Sequence, residues 1–202
     1  MRYVTRQVAA NGVSQDRLEV FDVDVATLIV LADGAGGMAG AGLAAEMVVD
    51  AFRDVSVFDA PSILASLDSR VAAAPRAGET TAVVIATMGD TMWGGSAGDS
   101  EAWLLHRHHQ HEEVELTRQQ RRKRVGSGSA MIQPISATAD DESEYRLLVA
   151  SDGLFRYASY ADIKARVRLP NIDDAADSLI ESVRLSSGRF RDDVSIFVAQ
   201  WP

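Results

Sequence analysis

LIVLADGAGG, residues 28–37, runs from an unbroken apolar segment into a carboxylate and then into a backbone almost stripped of side chains. Leu28 to Ala32 has the length and apolar character of a strand covered on both faces. Asp33 is poor strand material, and glycine beside it lets another group or a ligand approach the main chain closely. The preceding RLEVFDVDVAT extends the pattern, so residues 17–31 are expected to form two strands.

Working outward, AGLAAEMVVDAFRDV reads as a helix with Leu43, Met47, Val48, Ala51 and Phe52 on one face. PSILASLDSRVAAA reads as a second, with Pro61 near its start and Leu64, Leu67 and Val71 inward. TTAVVIATM and TMWGGSAGDSEAWLLHR read as consecutive strands around a turn at Gly89–Asp90. RQQRRKRVGSGSA, residues 118–130, reads as a mobile loop. EYRLLVASDGLF gives a further strand, and YADIKARVRL a helix. In IDDAADSLIESVRLSS, Ile172, Ala175, Ala176, Leu179, Ile180 and Val183 form one stripe, and DDVSIFVAQW closes the chain as a strand. This order predicts an α+β sandwich of two antiparallel β-sheets flanked by helices, in one domain over residues 1–202.

The 202 residues are 47% hydrophobic and 24% charged, ordinary for a globular protein, with a formal charge of −9 that argues against a nucleic-acid partner. There is no cysteine, which excludes thiolate metal sites and cysteine-nucleophile phosphatase chemistry. The opening MRYVTRQVAANG has no signal-peptide core and no run reaches membrane-span length, so a cytoplasmic protein without a membrane partner is expected. MAGAGLAAEM lacks the lysine and spacing of a phosphate-binding loop. All four histidines fall in HRHHQH, residues 106–111, read as an exposed hairpin turn; Trp93, Trp103 and Trp201 are read as packing residues.

The carboxylate of the opening stretch is one of four at strand ends or tight turns: Asp33, Asp99 in SAGDSEAW, Asp152 in VASDGLF and Asp192 in RFRDDVSIF. A single Asp–Gly is a common turn, but four in a chain of this size suggest a shared site. Gathered carboxylates repel unless protons or cations compensate. Oxygen-only donors suit Mg²⁺, Mn²⁺ or Ca²⁺, and such ions serve phosphate chemistry.

VLADGAGG, GETTAVVIATMGDTMWGGSAGDSEAWLL, LLVASDGLF and RDDVSIFVAQ, with SQDR upstream, resemble in order the signature segments of the type 2C metal-dependent protein phosphatases, from about Ser14 to Val198. The resemblance implies a sandwich fold and a protein-serine/threonine phosphatase, with two core Mn²⁺ or Mg²⁺ ions and a weaker third, that hydrolyses phosphoserine and phosphothreonine with a metal-activated water. It implies that Asp33 bridges the core metals and that the Gly34 carbonyl binds the second. Asp152 and Asp192 would complete the first, Asp16 would hold the second through water, and Asp99 with Asp152 would hold the third. The partner implied is a phosphorylated protein, met by a monomer. Ala35 stands where eukaryotic members carry histidine, which points to a bacterial type. Asn11 stands where many members carry a phosphate-binding arginine, leaving Arg6 or Arg17 to supply that charge, with Arg6 favoured. The family's flap is shortened, and Asp193 replaces a common asparagine. Asn11 and the short flap keep open an alternative, a phosphatase-fold sensor or regulatory module with weak or no turnover.

Overall fold

A computed structural model describes residues 1–23, 25–35, 40–55, 58–108, 113–117, 123–139 and 144–201. Among the described residues, ten strands and five helices follow one another along the chain. The strands are β1 (Arg2–Val8), β2 (Arg17–Val23), β3 (Ala26–Ala32), β4 (Ala82–Met88), β5 (Thr91–Ala97), β6 (Glu101–His106), β7 (Glu113–Glu115), β8 (Gln133–Thr138), β9 (Tyr145–Ala150) and β10 (Val194–Gln200). The helices are α1 (Ala41–Arg53), α2 (Ala60–Ala72), α3 (Asp152–Phe155), α4 (Tyr160–Val167) and α5 (Ile172–Ser182). One five-stranded sheet has the order β1-β10-β9-β6-β7 and the other β2-β3-β4-β5-β8. Every pairing is antiparallel.

Strand alternation explains why β3 is apolar throughout. Ile29 and Leu31 face the other sheet, meeting Leu104, Leu147, Val149 and Phe197 in the central core. Leu28, Val30 and Ala32 face α1 and α2 with Val48, Phe52, Leu64 and Val71. The far side of the first sheet packs under α4 and α5, where Ile172, Ala176, Leu179, Ile180 and Val183 form the expected stripe. The fold is therefore the expected α+β sandwich, two antiparallel sheets between helical layers. Among the described residues no helix is long and apolar enough to cross a membrane.

Two local expectations are corrected. The buried face of α1 is Ala41, Ala44, Ala45, Val48, Val49 and Phe52, whereas Leu43 is exposed. Small residues let the helix lie close on the sheet, and the larger Leu43 is left outside. The second half of the basic loop is pinned. Val125 exchanges backbone hydrogen bonds with Thr80, 2.9 Å each way. The Asp68 carboxylate accepts the N–H groups of Gly126, Gly128 and Ala130 at 2.8, 3.0 and 2.9 Å. Residues 118–122 of that loop and His109 to His111 lie outside the described residues. His106 is buried with its ring against Tyr145, and its Nδ1 accepts the His108 N–H.

Candidate metal centre

Five carboxylates stand where strands of both sheets begin or end. Asp16 precedes β2, Asp33 follows β3 and Asp99 lies between β5 and β6. Asp152 follows β9 and Asp192 precedes β10. The backbone of Asp33 is fixed by the two threonines of GETT. Thr81 Oγ1 accepts the Asp33 N–H at 3.0 Å, the Thr81 N–H donates to the Asp33 carbonyl at 2.8 Å, and Thr80 Oγ1 donates to the same carbonyl at 2.9 Å. Thr81 Oγ1 is also 2.7 Å from Ser100 Oγ, which ties the GDS turn to Asp33.

A comparable tie joins the other sheet's pair. The Ser151 N–H donates to the Ser195 carbonyl, and the Ser195 N–H to Ser151 Oγ, both at 3.0 Å. At Gly153 an added Cβ would fall 2.0 Å from the Asp193 carbonyl oxygen, so glycine is what lets Asp152 and Asp192 come together. Asp193 accepts the N–H groups of Ala10 at 2.8 Å and Gln15 at 2.6 Å, clamping the loop that delivers Asp16. None of these serines and threonines stood out in the sequence, where short hydroxyl residues are too common to signal anything. Only the motif spacing could have pointed to them.

The electrostatics are those of crowded acids. Burial pushes Asp33 well above the usual carboxylate range, and the charges of Asp16, Asp152, Asp99 and Asp192 push it further. Burial likewise raises Asp16 to about 6, against hydrogen bonds from Ser151, Ser195 and Asp33. Asp152 rises to about 6 through burial, then Asp99 and Asp192, while Arg156 and Arg124 oppose. Asp192 is raised by burial, moderated by the Asp193 N–H and by Arg156.

Among the described residues, two guanidinium groups lie within this cluster, and the sequence reading identified neither. Arg156 Nη1 bridges Asp152 Oδ2 at 3.2 Å and Asp192 Oδ2 at 3.3 Å. Arg124 holds Asp99. Among the described residues no three acidic or histidine side chains already converge as a coordination shell. The donor chemistry nonetheless fits hard divalent ions. Asp16 is 3% exposed, and its Oδ2 is buried with no hydrogen-bond partner. Gly34 leaves a cradle that a Cβ would fill, 2.8 Å from the Ala41 carbonyl carbon and 3.0 Å from the Gln15 carbonyl oxygen. A buried carboxylate oxygen without a partner, among acids raised by burial, is satisfied by a proton or by a hard cation.

Arg6 is not brought to this cluster. With Val4 and Val8 it lies on the side of β1 that faces α5, where Nε is 2.5 Å from Asp177 Oδ1 and Nη2 is 3.4 Å from Asp173 Oδ1. Strand alternation sets that side, and no irregularity within β1 reverses it. Arg17 is used locally, its Nη1 donating to the carbonyls of Ser14 and Asp16 at 2.8 Å each. Asn11 lines a shallow depression with Gln15, Arg191, Asp192 and Asp193.

Comparison with solved structures gives the architecture a name. A bacterial serine phosphatase carrying an arginine-to-glutamate substitution superposes with a TM-score of 0.82 at 18% identity, covering 100% of this chain and 99% of that one. RsbX in complex with magnesium gives 0.79 at 16% identity, covering 98% and 94%. The serine/threonine phosphatase PstP of Mycobacterium tuberculosis gives 0.75 at 20% identity, covering 98% and 97%. This chain has the type 2C protein phosphatase fold. At these identities the likeness is one of fold. No family model and no curated protein sequence matches the chain. Within the type 2C fold, the gathered carboxylates occupy one end of both sheets, and the two arginines are features of this chain's own side chains.

Proposed function

We propose that this protein is a metal-dependent serine/threonine protein phosphatase. The gathering of Asp16, Asp33, Asp152 and Asp192 at one end of both sheets, with a buried unfilled oxygen on Asp16, carries the reading. Asp33, Asp152, Asp192 and the Gly34 carbonyl would hold two divalent ions, Mn²⁺ or Mg²⁺, and Asp16 would act through water. Such ions supply a water of lowered pKa and offset charge on a phosphoryl group. The chain's own residues do the remaining work. Thr80 and Thr81 hold the Asp33 main chain, which fixes the point from which its carboxylate projects. Asp16 Oδ2 offers an acceptor for the proton of a water aimed at phosphorus. Arg156 bridges Asp152 and Asp192 and offsets their charge, and it would have to yield those oxygens to divalent ions.

The substrate class is a phosphoserine or phosphothreonine protein. The bond broken joins phosphorus to the side-chain oxygen, and water supplies the incoming oxygen. A second reading, a phosphatase-fold binding module without turnover, is favoured by the two arginines standing on the carboxylates and by Asn11. Purified protein assayed with p-nitrophenyl phosphate and a phosphothreonine peptide, with Mn²⁺ and with chelator, separates the two. Mn²⁺-dependent release of phosphate from both is expected. Tight peptide binding with no release would support the binding module instead.

A further inference from the structure

A cavity of about 230 Å³ adjoins the carboxylate cluster, and three of its lining residues are arginines: Arg156, Arg184 and Arg191. Arg156 is the shared wall, since the same guanidinium bridges Asp152 and Asp192. Arg191 is shared in the other direction, because it also lines the depression beside Asn11 and Asp192. Arg156 is paired with Asp152 and Asp192 and Arg184 with Glu181, which leaves Arg191 as the cation of this cavity without a carboxylate partner among the described residues.

The guanidinium groups are held by rings. The Arg156 and Arg191 guanidinium groups lie 5.6 and 5.5 Å from the centroid of the Tyr157 ring. Arg184 lies 4.5 Å over Phe190, and its Nη1 donates to the Gly188 carbonyl at 3.0 Å. Stacking fixes a guanidinium without consuming its in-plane donors. Arg184 is largely engaged, its Nε donating to both Glu181 carboxylate oxygens at 2.9 Å and its Nη2 lying 2.8 Å from Oε1, whereas among the described residues Arg191 pairs with no carboxylate and carries the cavity's uncompensated charge. Ser182 adds a hydroxyl to the lining. Preorganised donors of this kind match an oxyanion and lose little freedom on binding it.

Resting on the phosphatase reading, we infer that this arginine-lined cavity is a substrate subsite for a second anionic side chain, near in sequence to the phosphoresidue at the metal centre. An extended peptide advances about 3.4 Å per residue, and one arginine side chain separates cavity from cluster. The second anion therefore lies roughly two to three residues from the scissile phosphoresidue. A carboxylate and a phosphorylated serine share the required chemistry, and both are placed in the test.

The test is a binding titration by fluorescence anisotropy in Mn²⁺, with phosphothreonine peptides carrying a non-hydrolysable phosphonate. One series has neutral flanks, one has aspartate two or three residues away on either side, and one has the non-hydrolysable phosphonate of phosphoserine there. At low ionic strength the anionic series is expected to bind about threefold to tenfold more tightly than the neutral one. In the double variant Arg184→Gln, Arg191→Gln that ratio falls to about one, and the neutral series reports that the variant is folded. Equal affinity across the series in the unaltered protein, or a preference that survives in the double variant, overturns the subsite. Turnover of the hydrolysable peptides is scored separately, so loss of the phosphatase reading and loss of the subsite remain distinct results.

Discussion

Arg124 grips Asp99 with three hydrogen bonds: Nη2 to Oδ1 at 2.9 Å, Nη2 to Oδ2 at 3.3 Å and Nε to Oδ1 at 3.3 Å. The carboxylate is 5% exposed and the guanidinium 22%. The pair is not an incidental surface contact, because Val125 and the Asp68 clamp fix the chain on the C-terminal side of Arg124. A guanidinium so placed covers the oxygens that a third ion would need. The expected stoichiometry is two Mn²⁺ per chain in the unaltered protein, with a weaker third site appearing in Arg124→Gln. Titration of free Mn²⁺ by electron paramagnetic resonance measures this. Three ions in the unaltered protein would mean that Arg124 yields Asp99 as readily as Arg156 is proposed to yield Asp152.

The sandwich was legible because its signals are local. The double-sided burial of β3 shows as an apolar run, and the α5 stripe as a helical period. Asp33, Asp152 and Asp192 were legible for the same reason, each at the edge of an apolar run, whereas Asp16 in SQDR was marked only by the resemblance. What compensates them was not. Arg124 sits in a basic, glycine- and serine-rich stretch that resembles any solvated loop, and only the through-space contact with Asp99 separates it from its neighbours. Arg6 misled because alternation fixes which face a strand residue takes but not which helix waits there. Asp173 and Asp177 on α5, 167 and 171 residues away, decided it. Strand β8 has a weak apolar pattern and a proline, and it pairs at the sheet edge beside β5, where such a strand is tolerated.

Asp33→Asn is expected to weaken Mn²⁺ binding by about a hundredfold or more and to abolish turnover with it. The same change removes the acid that burial and four neighbouring carboxylates make hardest to ionise, so the metal-free protein should melt higher at pH 7.5. Isothermal titration with Mn²⁺ and a thermal melt in chelator read the two effects separately. A variant that melts higher but still binds Mn²⁺ normally would remove Asp33 from the centre.

The raised acids also fix a sign for pH. Asp16 and Asp152 titrate near 6 in the folded chain against an ordinary value of 3.8. The folded state therefore holds protons that the unfolded state has released, and stability falls as pH rises through that window. In chelator the melting temperature should drop from pH 5 to pH 7.5, on the order of 5 °C. Saturating Mn²⁺ should reverse the slope, because ions bind the ionised carboxylates. The groups whose pKa is lowered, such as Glu144 and Asp177, act below the window and leave it clear. A melting temperature that climbs with pH in chelator would contradict the crowding.

The clamp beneath Arg124 gives the last test. Asp68, on α2, accepts Gly126 and Gly128 N–H groups at Oδ1 and the Ala130 N–H at Oδ2. Asp68→Asn keeps the shape but turns one acceptor into a donor. One amide nitrogen then faces a backbone N–H, or one N–H loses its partner. An unsatisfied group of this kind costs about 1–3 kcal/mol, and a thermal melt should register the loss. The effect should not stop at stability. With the 126–130 loop loosened, Arg124 loses the anchor that holds it on Asp99, so Asp68→Asn should admit the third Mn²⁺ that Arg124→Gln admits, at weaker affinity. The double variant should gain nothing over Arg124→Gln alone, since both changes act on the same pair. Additive gains in Mn²⁺ affinity would show that Asp68 reaches the metal centre by a route other than Arg124.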